Sequence, residues 1–156
     1  MAQPNSKPKA PTLKQAKAAC LQIHSLIVRT QGNFECEAKG IIPGPCDPVM
    51  HCAHIIPKRR NTHISTELSN GWCLCASHHR LVDLNPAQWH RLVYTQSIHN
   101  RVERLQQTQE RLKVEETRSP MMRYRSRLPE LVNVARARGV DLSPVPRHIL
   151  KWVESQ

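Results

Sequence analysis

The hydrophobic positions near the N-terminus follow a helical period. Apolar residues recur three and four positions apart after a capping box formed by Thr12 and Gln15, which predicts a first helix that runs to about Thr30. The preceding residues are rich in proline and lysine, which is typical of a flexible arm. We therefore assign residues 1–11 to a flexible arm and 12–33 to an N-terminal helix.

The middle of the chain has the pattern of two short strands followed by a helix. Residues 34–49 contain several glycines and prolines and predict a loop, which must be held in shape by something other than an apolar core. The short apolar runs at 49–56 and 72–74 favour two strands, and 76–84 favours a short helix. Residues 34–84 thus predict a small core of mixed α and β structure.

Three further helices are predicted after this core. Asn85 caps the first, which runs to about Glu116 with an apolar stripe on one side. The second covers about 129–138 and the third about 143–153. The predicted fold class is therefore α+β, with an N-terminal helix before the core and a basic helical extension over 85–156.

Charge and composition narrow the function. The chain of 156 residues has a formal net charge of +11, most of it on the segments that flank a nearly neutral centre, which favours a polyanionic partner such as nucleic acid. No apolar run is long enough to span a bilayer, and the N-terminus lacks the apolar stretch of a signal peptide, so we expect no membrane association and a cytoplasmic location. In that compartment, six cysteines clustered with histidines favour metal binding over disulfides.

Four residues have the spacing of a structural zinc site. Cys75 and His78 lie three residues apart at the start of the 76–84 helix and supply one half of a tetrahedral site. Cys36 and Cys46 in the glycine- and proline-rich loop can supply the other half, with Cys52 as an alternative to Cys46. The alternative interpretation is that these cysteines are small buried hydrophobic residues. That role is predicted for the two remaining cysteines, Cys20 and Cys73.

His79 requires a separate explanation. On a helix it points about 100° away from His78 and cannot readily share its metal ion. Asp83 follows four residues later on the same face as His79. Such a pair can bind a divalent cation and leave positions free for water and a phosphate oxygen, although a surface pair without metal is the alternative.

The motifs of the centre together resemble the HNH endonucleases. The segment AHIIP at 53–57, Asn70 in the following loop, and LC-x2-HH-x3-D from Leu74 to Asp83 are similar to those of the small phage and prophage proteins of this family. The resemblance covers residues 36–83 and implies a ββα-metal core. If the protein is encoded by a phage, its cytoplasmic location would be that of the bacterial host cell.

The resemblance also implies roles for particular residues. His54 would be the general base, Asn70 would fix the loop and orient His54, and His79 with Asp83 would hold the catalytic ion. That ion would be Mg²⁺ or Mn²⁺, with Zn²⁺ or Ni²⁺ as alternatives. DNA phosphates would contact four basic residues: Lys58, Arg59, Arg60 and Arg80.

Two positions depart from the family pattern. Ala53 stands where many members have an Asp or His metal ligand, so the ion rests on two protein ligands unless His51 or a neighbour substitutes. Lys39 stands where the second cysteine of the usual first pair would be, which is why Cys46 is the predicted replacement.

The sequence therefore predicts a metal-dependent DNA endonuclease that hydrolyses phosphodiester bonds. Two alternatives remain open: a zinc-containing DNA-binding protein that has lost catalysis, and a structural partner in a phage recombination or packaging complex. The apolar stripe after Asn85 is predicted to pack on the core or the first helix, with a homodimer through the C-terminal helices as the alternative.

Overall fold

A computed structural model of the chain describes residues 7–59, 62–115 and 120–156. In these ranges the fold is α+β, mostly helical with a small two-stranded sheet. The elements in chain order are α1 (Leu13–Gln31), β1 (Met50–His54), β2 (Gly71–Cys75), α2 (Ala76–Leu84), α3 (Pro86–Thr95), α4 (His99–Glu115), α5 (Pro120–Ala137) and α6 (Arg147–Glu154). Short 3-10 turns at Thr62–Ile64 and Leu68–Asn70 lie between the strands.

The first helix begins with the predicted capping box. The Gln15 amide donates to the Thr12 hydroxyl at 3.2 Å, and the Gln15 side chain accepts from the Thr12 amide at 2.8 Å. Helix α1 ends at Gln31, with Gly32 as its C-cap. The predicted helix is therefore confirmed. It could be predicted because the capping box and the apolar period lie within the helix itself.

The central part of the chain contains the two predicted strands and the predicted helix. Strand β1 pairs antiparallel with β2, with Met50 opposite Cys75 and His54 opposite Gly71, and α2 follows β2 directly. The first strand is shorter than the predicted 49–56, because the backbone amide of Ile56 donates to the Asn70 side chain at 2.8 Å instead of to the sheet.

Helix α1 packs closely against β2. A Cβ atom added at Gly71 would lie 2.4 Å from Cγ2 of Val28 on α1, a distance at which one of the two elements must shift. Gly71 therefore allows the helix to approach the strand.

We expect the substitution Gly71→Ala to destabilise the protein by about 1–3 kcal/mol through overpacking. Urea denaturation measures the effect. The double variant Val28→Ala/Gly71→Ala tests its cause, because it should be more stable than the sum of the two single changes predicts. Simple additivity would contradict the proposed clash.

The predicted helix from Asn85 to about Glu116 is in fact two helices, α3 and α4. Ser97 between them has a φ of +52°, which ends the helical path. The side chain of Gln96 accepts from Trp72 Nε1 at 2.9 Å and donates to the Glu37 carbonyl at 3.2 Å, so contacts with the core fix the end of α3. The described residues thus contain four C-terminal helices instead of the predicted three.

The prediction that a helix starts at Pro129 is also wrong. Helix α5 begins at Pro120 and contains Pro129 in its interior. A proline there removes one backbone donor, but Tyr124 and Leu128 before it, like Leu131 after it, are buried in one core. Tertiary packing therefore outweighs the local preference. The last helix begins at Arg147, later than predicted.

Two hydrophobic cores organise these elements. The first joins α1, α5 and α6, with Ile23, Leu131 and Ile149 at its centre. The second joins the strands, the 36–42 loop, α3 and α4 around Trp72 and Leu92. We call the loop before β1, the two strands and α2 the central unit. The apolar stripe after Asn85 packs on this unit, as one of the two interpretations predicted. None of the helices in the described part of the chain is both long and apolar enough to cross a membrane.

Candidate functional site

Three cysteines and one histidine converge where β2 meets α2. The Nδ1 atom of His78 lies 3.4 Å from Cys36 Sγ, 3.6 Å from Cys46 Sγ and 3.3 Å from Cys75 Sγ. One ligand atom from each of the four residues lies within 4.8 Å of all the others, so they are close enough to bind one metal ion. We call this group the Cys3His cluster, and it confirms that the four predicted residues come together.

The spacing of the Cys3His cluster fits a tetrahedral ion. With metal–sulfur bonds of about 2.3 Å and a metal–nitrogen bond of about 2.0 Å, sulfur and nitrogen are about 3.5 Å apart. A hydrogen bond does not explain the arrangement equally well, because one ring N–H cannot be directed at three sulfur atoms. Three cysteine sulfurs and one histidine nitrogen are also soft donors of the kind that bind Zn²⁺ in tetrahedral structural sites.

The backbone around the cluster holds these ligands in place. Cys75 is the N-cap of α2, and its amide donates to Cys36 Sγ at 3.3 Å. The Asp47 carboxylate next to Cys46 accepts from the amide and hydroxyl of Ser77 in the first turn of α2, at 2.6 and 2.5 Å. These bonds lower the pKa of Asp47 and attach the loop to the helix.

The thiols of the cluster resist joint ionisation. Although Cys46 is exposed as a residue, desolvation of its thiol and the neighbouring Cys36 raise its pKa to about 11. Burial also disfavours the Cys75 thiolate, but hydrogen bonds from the backbone of His78 and Asp47 and from the other two thiols lower its pKa overall. A divalent cation would replace the remaining thiol protons, so binding is expected to release protons and to weaken in acid.

A separate cleft of about 620 Å³ lies on another side of α2. Two predicted site histidines reach it from different elements, His54 from the end of β1 and His79 from α2. The residues that line the cleft are Cys52, His54, Pro57, Lys58, Arg59, His79, Val82, Asp83, Pro86 and Trp89. The predicted base and the predicted ion ligands therefore share one cavity.

The ring of His54 is oriented by a backbone hydrogen bond. Its Nε2 atom lies 2.9 Å from the carbonyl oxygen of Ser65. A carbonyl can only accept, so Nε2 carries the proton in the neutral ring and Nδ1 carries the lone pair. Burial lowers the pKa of His54, and the positive charge of Lys58 adds to this effect while the Ser65 carbonyl opposes it.

A second histidine, which the sequence did not predict, lies against the first. His24 of α1 stacks on His54 with ring centroids 5.4 Å apart and 19° between the planes. Its Nε2 donates to the Glu67 carbonyl at 3.0 Å, and burial lowers its pKa to about 4, so the ring is neutral at physiological pH. The available signal was a polar residue on the buried face of α1, next to Ile23.

Asn70 connects the segment after His54 to the loop that holds it. Its buried side chain accepts from the amide of Ile56 at 2.8 Å and donates to the carbonyls of Ile56 and Ile64 at 3.1 and 3.2 Å. The backbone carbonyl of Asn70 also accepts from the amide of Ile55. The fully bonded amide of Asn70 therefore holds the segment that follows His54 against the loop.

Helix α5 supports the same loop from outside the central unit. Glu67 forms ion pairs with Arg123 at 3.2 Å and Arg127 at 3.5 Å. The hydroxyl groups of Ser65 and Tyr124 are 2.8 Å apart. The carbonyls that hold His54 and His24 belong to Ser65 and Glu67, so α5 helps to fix both rings.

His79 lies between two polar neighbours. Its Nε2 is 3.3 Å from Asp83 Oδ2, and its Nδ1 is 3.4 Å from Nδ1 of His51. Burial lowers the pKa of His79, while Asp83 opposes the shift and His51 adds to it. Within the described ranges, the Cys3His cluster is the only group of three or more His, Cys, Asp or Glu residues whose ligand atoms all lie close to one another. The ligand atoms of His51, His79 and Asp83 therefore do not converge on one point.

The remaining predicted residues are placed as follows. Lys58 and Arg59 line the cleft, whereas Arg80 is exposed on α2 and is not part of the lining. Arg60 lies outside the described residues. The alternative ligand Cys52 is not in the Cys3His cluster, since its sulfur lies 3.6 Å from His24 Nδ1. The two cysteines predicted to pack in the core, Cys20 and Cys73, are fully buried.

Comparisons of the chain with protein-family models, with curated proteins and with solved structures give no match. The interpretation of the cleft therefore depends on the geometry above and on the motif resemblance from the sequence.

Proposed function

We propose that the protein is a metal-dependent DNA endonuclease of the HNH class, with a structural zinc ion in the Cys3His cluster. The observation that carries the proposal is the shared cleft, which His54, His79 and Asp83 line together with Lys58 and Arg59, and in which the Ser65 carbonyl fixes the tautomer of His54. This arrangement combines a base, a cation site and phosphate-binding side chains, which are the groups that phosphodiester hydrolysis needs.

His54 would act as the general base. Its Nε2–H bond to Ser65 directs the lone pair on Nδ1 away from that carbonyl, where it can accept a proton from an attacking water molecule. The lowered pKa keeps the ring neutral, and so able to accept this proton, at and below neutral pH. His24 and Asn70 would hold the ring and its strand in one orientation during this transfer.

The cation site would be at His79, adjacent to Asp83, with Mg²⁺ or Mn²⁺ as the expected ion. When bound, the ion supplies positive charge to the phosphate oxygens as the new bond forms and the old bond breaks. The zinc ion on the other side of α2 would have no role in the reaction and would instead fix the start of this helix.

DNA is the expected substrate class. Lys58 and Arg59 line the cleft on the side of the base, and the chain as a whole carries a net charge of +11. Side chains of this type bind phosphate oxygens and position the backbone without reading its sequence.

Nicking of supercoiled plasmid by the zinc-loaded protein tests the proposal. Nicked plasmid should form in the presence of Mg²⁺ or Mn²⁺. Nicking should stop when a chelator removes the added ion. The product ends should be 5′-phosphate and 3′-hydroxyl if water attacks phosphorus and the 3′ oxygen leaves. Absence of nicking with every divalent ion tested, by protein that is folded and zinc-loaded, would contradict the proposal.

One observation favours the rival function, a zinc-containing DNA-binding protein without activity. His79 and Asp83 have no third converging ligand among the described residues, and a site of two protein ligands binds an ion weakly. The rival predicts a gel shift that survives chelation of the added ion, and no nicked product.

Arg59 provides a test of phosphate contact. We expect Arg59→Ala to weaken DNA binding to a similar degree on different sequences and to reduce the slope of log K against log [salt] by about 1. Fluorescence anisotropy over a range of salt concentrations measures this slope. Arg147→Ala, at an exposed position on α6, is a matched control of equal charge change. An unchanged slope for Arg59→Ala would remove this residue from the interface.

A further inference from the structure

Four aromatic rings lie along α3 and at the start of α4. The residues are Trp89, His90, Tyr94 and His99, and we call them the aromatic surface. Their rings meet in two pairs. The ring centroids of Trp89 and His90 are 4.9 Å apart with 88° between the planes, and those of Tyr94 and His99 are 5.9 Å apart with 80° between the planes. Edge-to-face contacts of this kind hold aromatic rings in a preferred orientation.

The aromatic surface begins at the cleft and extends into solvent. Trp89 lines the cleft, where its Nε1 donates to the Ile55 carbonyl at 2.6 Å. His90 is exposed beside it, and Tyr94 lies four residues further on the same side of α3 as His90. A chain molecule bound in the cleft can therefore continue over these rings.

Tyr94 is the most open ring of this surface. The chain has two tyrosines, and Tyr124 is 5% exposed whereas Tyr94 is 75% exposed. His99 contacts the Tyr94 ring and limits its movement. An exposed and oriented aromatic ring offers a face on which a nucleic-acid base can stack, because every base has a π-face of its own.

The charge around Tyr94 suits a phosphate chain. The sequence contains no acidic residue between Asp83 and Glu103. Arg91 is exposed on α3 and precedes Tyr94 by three residues, so both side chains lie on the same side of the helix. Aromatic rings next to basic side chains are typical of surfaces that bind single-stranded nucleic acid.

We infer that the aromatic surface binds unpaired bases of single-stranded DNA, with one base stacked on Tyr94 and the backbone passing Arg91 on its way to the cleft. In an intact duplex the bases are stacked on one another, and unstacking them for Tyr94 costs free energy. The surface therefore favours DNA with a single-stranded segment over intact duplex. The inference rests on the proposed function for DNA as the partner, and it adds the class of DNA that is bound.

Fluorescence anisotropy with the full-length protein tests this, without added Mg²⁺ or Mn²⁺ so that the DNA stays intact. The two probes are a labelled oligothymidine strand and the same strand paired with its complement. Tyr94→Ala should weaken binding of the single strand by about 5- to 100-fold, the usual contribution of one stacked base, and binding of the duplex by less than about 2-fold. Because Tyr94 is exposed, its replacement carries little risk to folding.

Two further variants control for other causes. Tyr94→Phe keeps the ring and should bind the single strand like the wild type. Val114→Ala removes another exposed apolar side chain, 83% exposed on α4, and should change the affinity for neither probe.

Three results would overturn the inference. The first is wild-type protein that does not bind the single strand, or Tyr94→Ala that binds it as tightly as the wild type. The second is an equal loss of affinity for single strand and duplex, because the surface would then not distinguish unpaired bases. The third is an equal loss in Tyr94→Phe and Tyr94→Ala, which would place the contact at the hydroxyl group instead of the ring face.

The outcome for the aromatic surface can be separated from that for catalysis. If Tyr94→Ala loses affinity for the single strand but the wild type nicks no DNA, the aromatic surface stands and the nuclease proposal fails. If the wild type nicks DNA but Tyr94→Ala binds the single strand normally, the nuclease proposal stands and this inference fails.

Discussion

Cys75→Ala is expected to prevent folding of the central unit, even with excess zinc in the buffer. Cys75 contributes one of three sulfurs around Nδ1 of His78, and it also joins β2 to α2. Structural zinc supplies on the order of 10 kcal/mol of folding free energy in small domains. The total stability of a domain is about 5–15 kcal/mol, so loss of the ion removes most of it. Circular dichroism and zinc content of the purified variant measure this result.

Cys73→Ala is the matched control for this prediction. Cys73 is as deeply buried on the same strand, but it does not belong to the Cys3His cluster. Its replacement should cost only on the order of 1 kcal/mol from lost burial and should leave one zinc ion per chain. If Cys75→Ala and Cys73→Ala were equally stable and both bound zinc, the Cys3His cluster would not be a structural metal site.

His54→Ala is expected to reduce the nicking rate by about 10²–10⁴-fold while DNA binding persists, because general-base catalysis typically contributes that much. His54→Gln is a stricter variant, since its amide can still donate to the Ser65 carbonyl but has no basic nitrogen. Both variants should therefore nick DNA at a rate reduced to this extent, with zinc content and gel shift unchanged. Nicking by His54→Gln at the wild-type rate would exclude His54 as the base.

The pH dependence of nicking follows from the same residue. Burial lowers the pKa of His54 below its ordinary value of 6.5, so the neutral form needed for catalysis persists at lower pH than in free imidazole. The rate should therefore be constant from neutral pH to somewhat below 6.5 and should fall only as the pH drops through the lowered pKa. If the nicking rate already fell while the pH was being lowered but was still above 7, this assignment would be contradicted.

The features that the sequence predicted correctly depend on short-range signals. The capping box of Thr12 and Gln15 and the bounds of α2 each rest on residues within a few positions of one another. The Cys3His cluster was also predictable, because Cys75 and His78 have the spacing of one half of a zinc site and the loop before β1 contains two further cysteines.

The features that the sequence did not reveal depend on contacts between distant residues. The break at Ser97 is fixed by bonds from Gln96 to Trp72 and Glu37, which no local pattern indicates. Pro129 is accepted inside α5 because that helix packs along α1. In the same way, the stacking of His24 on His54 brings together residues of α1 and β1 that are separated by the whole loop.

The interaction of α5 with the loop that contains Ser65 and Glu67 is a further example of such contacts. Tyr124 is buried and bonded to Ser65, although the arginines around it in sequence are typical of a surface segment. Two of those arginines, Arg123 and Arg127, pair with Glu67. This basic helix therefore supports the residues whose carbonyls hold His54 and His24.

On the proposed function, the short helix α2 serves two ions, with His78 directed to one and His79 to the other. Anomalous diffraction from crystals of the zinc-containing protein soaked in Mn²⁺ tests this directly, because the two absorption edges distinguish the metals. We expect a zinc peak among Cys36, Cys46, Cys75 and His78, and a separate manganese peak beside His79 at the cleft. A single peak, or a manganese peak away from His79, would contradict it.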